Sequence, residues 1–548
     1  MNLDLLKRAA AFFAVAWALH AQTPVILISI DTLRADHLGA FGYRRIATPN
    51  IDAYATHGTV FTQIDCQVPL TLPSHTSLLT STYPFQNRVE ENAEPVPAGH
   101  ATLATVLHAH GYRTAAFIGS VFLERQMGLE GGFDVYDSPF NFEAFSPISG
   151  EMFFAGVANQ YAVRDRRDGS LVVHAAEQWL AANRGAAAFA FVHLFDLHRP
   201  YPSGGSYDGQ IEYVDRVLGH FREFLMRGGW WDRSLVIVLA DHGEGLGEHG
   251  EETHGYFIYE STLHVPLIVH WPASAAGRPA RVNEPAGLID VAPTVLDFLH
   301  LPAQASFDGR SLLTGDAHTV VSESVHAHDG FGWAPLRGVR VGSFKYIQAP
   351  KPELYDLAKD PGELHNLVAS NPSEAAALRA RLTELLSRYA PRRPSAPSNL
   401  SPQAEATLRS LGYIAPGPAV SGGGHEPDPK DKLREFQLYE ESESLIGQGH
   451  LQRAIAVLRG IVERDPLNTL AHRDLGACYA ELHQWARARA SFESVLKRAP
   501  NDYMSHYELG LAEEHLGMMK EARADLEAAC RIAPKAEQCR RELERLGH

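Results

Sequence analysis

Apolar residues in the first four hundred positions follow two rhythms. The runs "PVILISI" (24–30), "RTAAFI" (113–118), "AAFAFVHL" (187–194), "SLVIVLA" (234–240) and "VPLIVH" (265–270) are short and nearly unbroken. That is the pattern of strands covered on both faces. Between them, "ATLATVLHAHG" (101–111) and "DGQIEYVDRVLGHFREFL" (208–225) place apolar residues every three to four positions. A helix with one buried face has that spacing. The alternation predicts an α/β sandwich over residues 23–413 with a mostly parallel central sheet. Ligands of such sheets lie beyond the carboxyl ends of the strands. Two of the runs end in aspartate: "ILISID" at Asp31 and "IVLAD" at Asp241, with His242 next. Two such aspartates and a histidine predict a shared metal.

The rhythm changes in the last hundred residues. Pro466, Pro500 and Pro534 fall at one interval, as do Gly476 and Gly510, and Ala454, Ala488 and Ala522. A period of about 34 residues, small residues at helix crossings and a proline ending each unit predict an all-α solenoid of tetratricopeptide (TPR) repeats over 431–548. Each unit buries its apolar face on the next and leaves a concave groove, a surface for a protein or peptide ligand. The stretch "APGPAVSGGGHEPDPKDK" before the repeats has the Gly, Pro and Ser content of a flexible linker, placed at 414–430.

Composition narrows the function. The formal charge of −16 over 548 residues disfavours nucleic acid as a partner. At the N-terminus Lys7 and Arg8 precede the apolar run "AAAFFAVAWAL". That pattern predicts a signal peptide over 1–21 and a periplasmic or extracellular protein, tethered to the membrane if the segment is retained. The cysteines Cys66, Cys478, Cys530 and Cys539 have no zinc-site spacing. For Cys530 and Cys539, a disulfide and two separately packed helix residues are both open.

The segments "ISIDTLRADHLGAFGY", "TPNIDAYATHGTVF", "TLPSHTSLLTS", "LADHGEGLGEHGEETHG", "YESTLHVPLIVHWP" and "ELYDLAKDPGELHNL" occur in this order. Together they resemble the sulfatase family of the alkaline phosphatase superfamily, over roughly residues 24–370. The resemblance implies a large central sheet, a small C-terminal antiparallel sheet, and cleavage or transfer of sulfate or phosphate esters at a divalent metal. Asp31, Asp241 and His242 supply two hard oxygens and one imidazole nitrogen. The imidazole, with Thr32 standing where many relatives carry a second aspartate, favours manganese or zinc over calcium.

The family motif is a cysteine or serine, any residue, proline, any residue, arginine, and its first residue is oxidised to formylglycine. Here the positions hold Thr71, Leu72, Pro73, Ser74 and His75. Threonine, a secondary alcohol, cannot become formylglycine, so none is expected. A formylglycine hydrate expels sulfate with its second hydroxyl; a threonine ester has no second hydroxyl. Thr71 is therefore read as a metal-activated nucleophile and fourth metal ligand, with phosphate esters preferred over sulfate. The helix that follows is expected to aim free backbone N–H groups at the anion.

The resemblance places His198, in "HLFDLHRPYP", as a substrate-contacting histidine able to protonate the leaving oxygen. His75 stands at the motif's arginine and His254 where relatives often carry an anion-binding lysine; both are read as substrate-binding. Asp196, His198 and His254 together are weighed as a second metal site. His193 and His249 are read as structural, and Asp290 as a helix cap. The substrate class is a small-molecule, glycan or lipid ester. A sulfatase without formylglycine, a phospho-group transferase and a degenerate TPR-linked binding protein remain as alternatives.

Overall fold

The structure is a computed structural model that describes residues 23–140, 166–389 and 426–546, apart from residues 57, 93, 202–204, 276, 467 and 533–536. The predicted signal segment and linker residues 414–425 lie outside the described residues.

Each apolar run named above becomes a strand. They are β1 (Val25–Ile30), β3 (Arg113–Phe117), β5 (Ala188–Leu194), β6 (Leu235–Leu239) and β7 (His264–His270). With β2 (Gly58–Asp65), β4 (Val135–Asp137), β8 (Arg281–Val282) and β9 (Ala286–Gly287) they form a nine-stranded sheet in the order β4-β3-β5-β1-β6-β7-β2-β8, with β9 also on β2. All pairings are parallel except those of β7 with β6 and β2. Every residue of β1, β5 and β6 is buried, which explains why their sequences are unbroken rather than alternating. Central β1 lies between β5 and β6, so Asp31 and Asp241 leave the sheet side by side.

Helices α1 (Thr71–Thr80), α2 (Leu103–Ala109), α3 (Gly169–Ala182), α4 (Tyr207–Arg227) and α5 (Val291–Phe298) accompany this sheet. Ser206 caps α4 by accepting from Gly209 N, and apolar Ile211, Val214, Leu218, Phe221 and Leu225 form its buried stripe. A second sheet of four antiparallel strands follows: β10 (Val320–Ser324), β11 (Leu336–Val341), β12 (Phe344–Gln348) and β13 (Glu353–Asp356). The "ELYD" segment is the edge strand of this sheet. A buried ion pair joins the two sheets, Arg340 to Asp65 at 2.8 Å, and Lys345 of the second sheet pairs with Glu260, in the helical turn before β7, and Glu363, both at 2.9 Å. Asp290 takes the N-cap position of α5, as expected. Its carboxylate makes no cap hydrogen bond to α5; it accepts from Gly287 N and Arg310 N and meets His318 at 2.7 Å.

After α6 (His326–Phe331) and α7 (Pro372–Arg388) come seven helices: α8 (Leu433–Gly447), α9 (Leu451–Arg464), α10 (Thr469–Glu481), α11 (Trp485–Leu496), α12 (Tyr503–His515), α13 (Met519–Ile532) and α14 (Glu537–Leu546). The first six are the three predicted repeats. A Cβ on Gly476 would lie 2.8 Å from the Phe492 ring, and one on Gly510 2.8 Å from Leu526. Only glycine lets these helix pairs close. Pro534 lies outside the described residues.

The repeats are docked on the α/β domain. Phe331 stands edge-on to Tyr439 at 5.2 Å, Trp333 Nε1 donates to Asp465 Oδ2 at 3.0 Å, and Thr469 Oγ1 donates to Gly330 O at 3.0 Å. The repeats, expected to leave an open groove, hold the chain's own residues 330, 331 and 333 through Thr469, Tyr439 and Asp465. The end of the expected linker is fixed as well. Pro427 O accepts from Ala334 N at 2.9 Å, and Asp428 Oδ2 accepts from Lys351 N at 2.8 Å.

Candidate active site

Asp31 follows the last residue of β1, and its own N–H donates to Leu194 O at the end of β5. Thr32 turns the chain with φ of 56°, a left-handed conformation that costs a β-branched residue of order 1–3 kcal/mol. Two contacts hold it there: Thr32 N donates to Asp241 Oδ1 at 3.3 Å, and Tyr207 Oη donates to Thr32 O at 2.6 Å.

Ligand atoms of Asp31, Asp241 and His242 all lie within 4.8 Å of one another, and the three residues are fully buried. Asp31 Oδ1, Asp241 Oδ2 and His242 Nε2 have no hydrogen-bond partner. His242 Nδ1–H donates to Gly243 O at 3.0 Å, so the lone pair is on Nε2. Burial raises the Asp31 carboxyl to about 6. Burial and then the neighbouring Asp31 also raise Asp241. Orphaned acceptors, converging without a counter-charge, fit a divalent cation. Thr71 joins them: its Oγ1 donates to Asp31 Oδ2 at 3.2 Å.

A second group of donors, His75, His193 and Asp241, is equally close. It fits a cation poorly, because both nitrogens of His75 are engaged. Nδ1–H donates to Thr71 O at 2.7 Å, and Nε2 accepts from Ser29 Oγ at 2.9 Å. The structure thus gives both nitrogens of His75, expected to bind substrate, protein partners instead. Burial drives its imidazole down to about 3, so it is neutral, and it faces protein on all sides rather than substrate. His193, expected to be structural, lies in the site. Its ring is edge-on to His75 at 4.8 Å and its Nε2 is 3.5 Å from Asp31 Oδ2.

The start of α1 also departs from expectation. Leu72 N donates to Asn92 Oδ1 at 2.9 Å, Pro73 has no N–H, and Ser74 N donates to Leu70 O at 3.0 Å. Of the first-turn N–H groups, this leaves at most that of Thr71 for an anion.

His198 and His254 lie edge-on at 5.2 Å, and His254 is tilted against His242 at 4.4 Å. His254 Nδ1 meets Glu244 Oε1 at 3.2 Å. Burial lowers its imidazole to about 4. Burial, then His254, puts the His198 imidazole well below its usual value. His198 Nδ1–H donates to Arg199 O at 2.6 Å. A neutral ring in that tautomer has no N–H at Nε2 with which to protonate a leaving oxygen. Asp196 is elsewhere: its Oδ1 accepts from Gly169 N at the start of α3, so the weighed Asp196–His198–His254 metal site is not assembled. His249 stacks on Tyr259 at 3.7 Å, in keeping with a structural role.

Sequence reasoning missed Glu244, three residues after Asp241 in "ADHGE". It is fully buried, its Oε2 has no hydrogen-bond partner, and burial raises it to about 8. The close spacing to Asp241 and His242 was the available signal.

The family model described as Sulfatase matches residues 23–301, half of the chain. The chain belongs to the sulfatase family. The model for the C-terminal region of N-sulphoglucosamine sulphohydrolase matches residues 247–391, and the tetratricopeptide repeat model matches 439–502 and 479–537. An arylsulfatase of Clostridium perfringens is 29% identical over 172 residues, 30% of this chain and 36% of that protein. The chain thus spans little more than a third of that relative's length. Arylsulfatase K of Mus musculus is 22% identical, covering 67% of this chain and 80% of its own. In fold, the chain is similar to the phosphonate monoester hydrolase of Agrobacterium radiobacter, with a TM-score of 0.55, 23% identity, and 67% of this chain and 96% of that one covered.

Proposed function

We propose that this sulfatase-family protein is a metal-dependent hydrolase of phosphate esters whose nucleophile is Thr71 Oγ1. The observation that carries the reading is the 3.2 Å contact between Thr71 Oγ1 and Asp31 Oδ2 at the edge of the buried donor set. Asp31, Asp241, His242 and Thr71 would hold the ion, with manganese or zinc favoured by the imidazole. When bound, such an ion supplies charge neutralisation and Lewis acidity.

The chain's own groups do the rest. His75 locks the first turn of α1 and so fixes the backbone of Thr71. Thr71 Oγ1 already aims its proton at Asp31 Oδ2. In the first step a Thr71 O–P bond forms, the P–O bond to the alcohol breaks, and the proton that Thr71 Oγ1 gives to Asp31 Oδ2 ends on the departing alcohol oxygen. Water then attacks phosphorus, releasing phosphate and restoring the hydroxyl. His198 and His254 position the transferred group. Sulfate esters are the second reading, favoured by the arylsulfatase relatives. The absence of a formylglycine precursor at Thr71 argues against it.

Export fits the same picture: the apolar run after Lys7 and Arg8 supports a signal peptide, and Cys530 is disulfide-bonded, a state favoured outside the cytosol. The TPR units support a protein partner. The deciding experiment is turnover of aryl phosphate monoester, diester and sulfate by the wild type and Thr71→Ala, with metal content measured in both. Retained metal with turnover lost only in the variant supports Thr71; equal rates remove it.

A further inference from the structure

The segment from Asp241 to Tyr256 is a hairpin that leaves the metal-site residues and returns to the substrate histidine. Gly245 N donates to Thr253 O at 2.6 Å and Gly247 N to Glu251 O at 2.8 Å, while the Glu251 carboxylate accepts from Tyr256 N at 2.9 Å. His254 therefore sits on the returning arm, two residues before Tyr256.

Helix α8 of the first repeat lies along this hairpin. A Cβ on Gly250 would be 2.5 Å from Leu433, and the φ of Gly250 is 81°, so glycine alone fits there. Gln437 Nε2 donates to Gly250 O at 3.1 Å. Thr253 Oγ1 donates to Glu440 Oε1 at 2.9 Å. The rings of Tyr256 and Phe436 are 3.7 Å apart. Leu433, Phe436, Gln437 and Glu440 are spaced i, i+3, i+4 and i+7, one face of the helix. Their contacts bracket His254 on both sides. A TPR unit tethered only by its linker would need none of these bonds.

We infer that the first TPR repeat is a working wall of the hydrolase site, in which α8 holds the hairpin that presents His254 and Glu440 is a positioning residue for that histidine. The inference rests on the hydrolase reading for its kinetic consequence but not for its structural one. The partner of this TPR face is then the chain's own catalytic domain, and the repeats set substrate affinity from within.

The test uses the full chain with Glu440→Ala, Glu440→Gln, Thr253→Val and, as an interface control, Thr469→Ala. Glutamine keeps the acceptor for Thr253; Thr469→Ala removes the bond to Gly330 at another part of the same interface. Hydrogen exchange is followed over residues 249–257, and KM and kcat are measured with an aryl phosphate. Loss of one such hydrogen bond predicts exchange and KM both raised roughly five-fold in Glu440→Ala and Thr253→Val, with kcat little changed. Glu440→Gln restores both, and Thr469→Ala alters neither. Unchanged exchange in Glu440→Ala, failure of Glu440→Gln to restore it, or the same effect from Thr469→Ala overturns the inference. If the wild type turns over no ester, the hydrolase reading fails on its own, and the exchange results still decide whether α8 holds the hairpin.

Discussion

His75 Nδ1 lies 2.7 Å from the carbonyl oxygen of Thr71, one helical turn earlier. The histidine that stands in the family's arginine position therefore braces the backbone of the proposed nucleophile. Its other nitrogen is held by Ser29, at 2.9 Å, on the neighbouring strand. Arginine there would force a longer side chain among Phe191, His193 and Ser29 and set its charge on Asp241, whose Oδ2 lies 3.5 Å from the His75 ring, in place of the metal. His75→Arg is expected to lose several kcal/mol of stability, on the order of 3 or more, rather than gain anion affinity. Denaturant unfolding beside phosphate-binding measurements checks this; an unchanged midpoint with tighter binding would contradict it.

Thr71→Ala should lower turnover of an aryl phosphate by roughly 10³-fold or more, as removal of a nucleophile does. Thr71→Ser, which keeps the hydroxyl, should retain much of it. Because Asp31, Asp241 and His242 remain, the Ala variant should still carry metal, as measured by elemental analysis.

Chelation is expected to abolish turnover, and manganese or zinc, rather than calcium, to restore it. Asp241→Asn should lose the metal itself. An enzyme that works equally well after exhaustive chelation would remove the proposed role of the donor set.

The buried ion pairs of Glu260 with Lys345 and Arg340 give a pH prediction away from the site. Burial alone raises the Glu260 carboxyl, but Lys345 and Arg340 outweigh it and hold it down to about 2, against an ordinary 4.5. Because the folded value is the lower one, this pair contributes stability above pH 4.5 that is lost as pH falls towards 2. Melting temperature should drop across that window in the wild type and less steeply in Glu260→Gln. Lys345→Met, which leaves Glu260 and Glu363 buried without their lysine, should cost about 3–5 kcal/mol at neutral pH.

The sheet, the two strand-end aspartates, the 34-residue period and the threonine at the nucleophile position were all legible in the chain. Strand burial is written as unbroken apolar runs, as in β1 and β6, and repeat packing as glycines at fixed intervals, as at Gly476 and Gly510. Such patterns are local, because burial of a strand or helix constrains every residue along it. The roles of the histidines were not legible. His75 turned inward to Ser29, His193 entered the site, and Asp196 left it for the N–H of Gly169. Glu244 and the grip of Glu440 on Thr253 were also invisible. A polar side chain takes its partner from whatever the fold brings within about 3 Å, often a residue far away in sequence, and no periodicity records that choice. The sequence determined the architecture and the reactive residue types; only the tertiary structure decided which of those residues face the site, and that the repeats close against it.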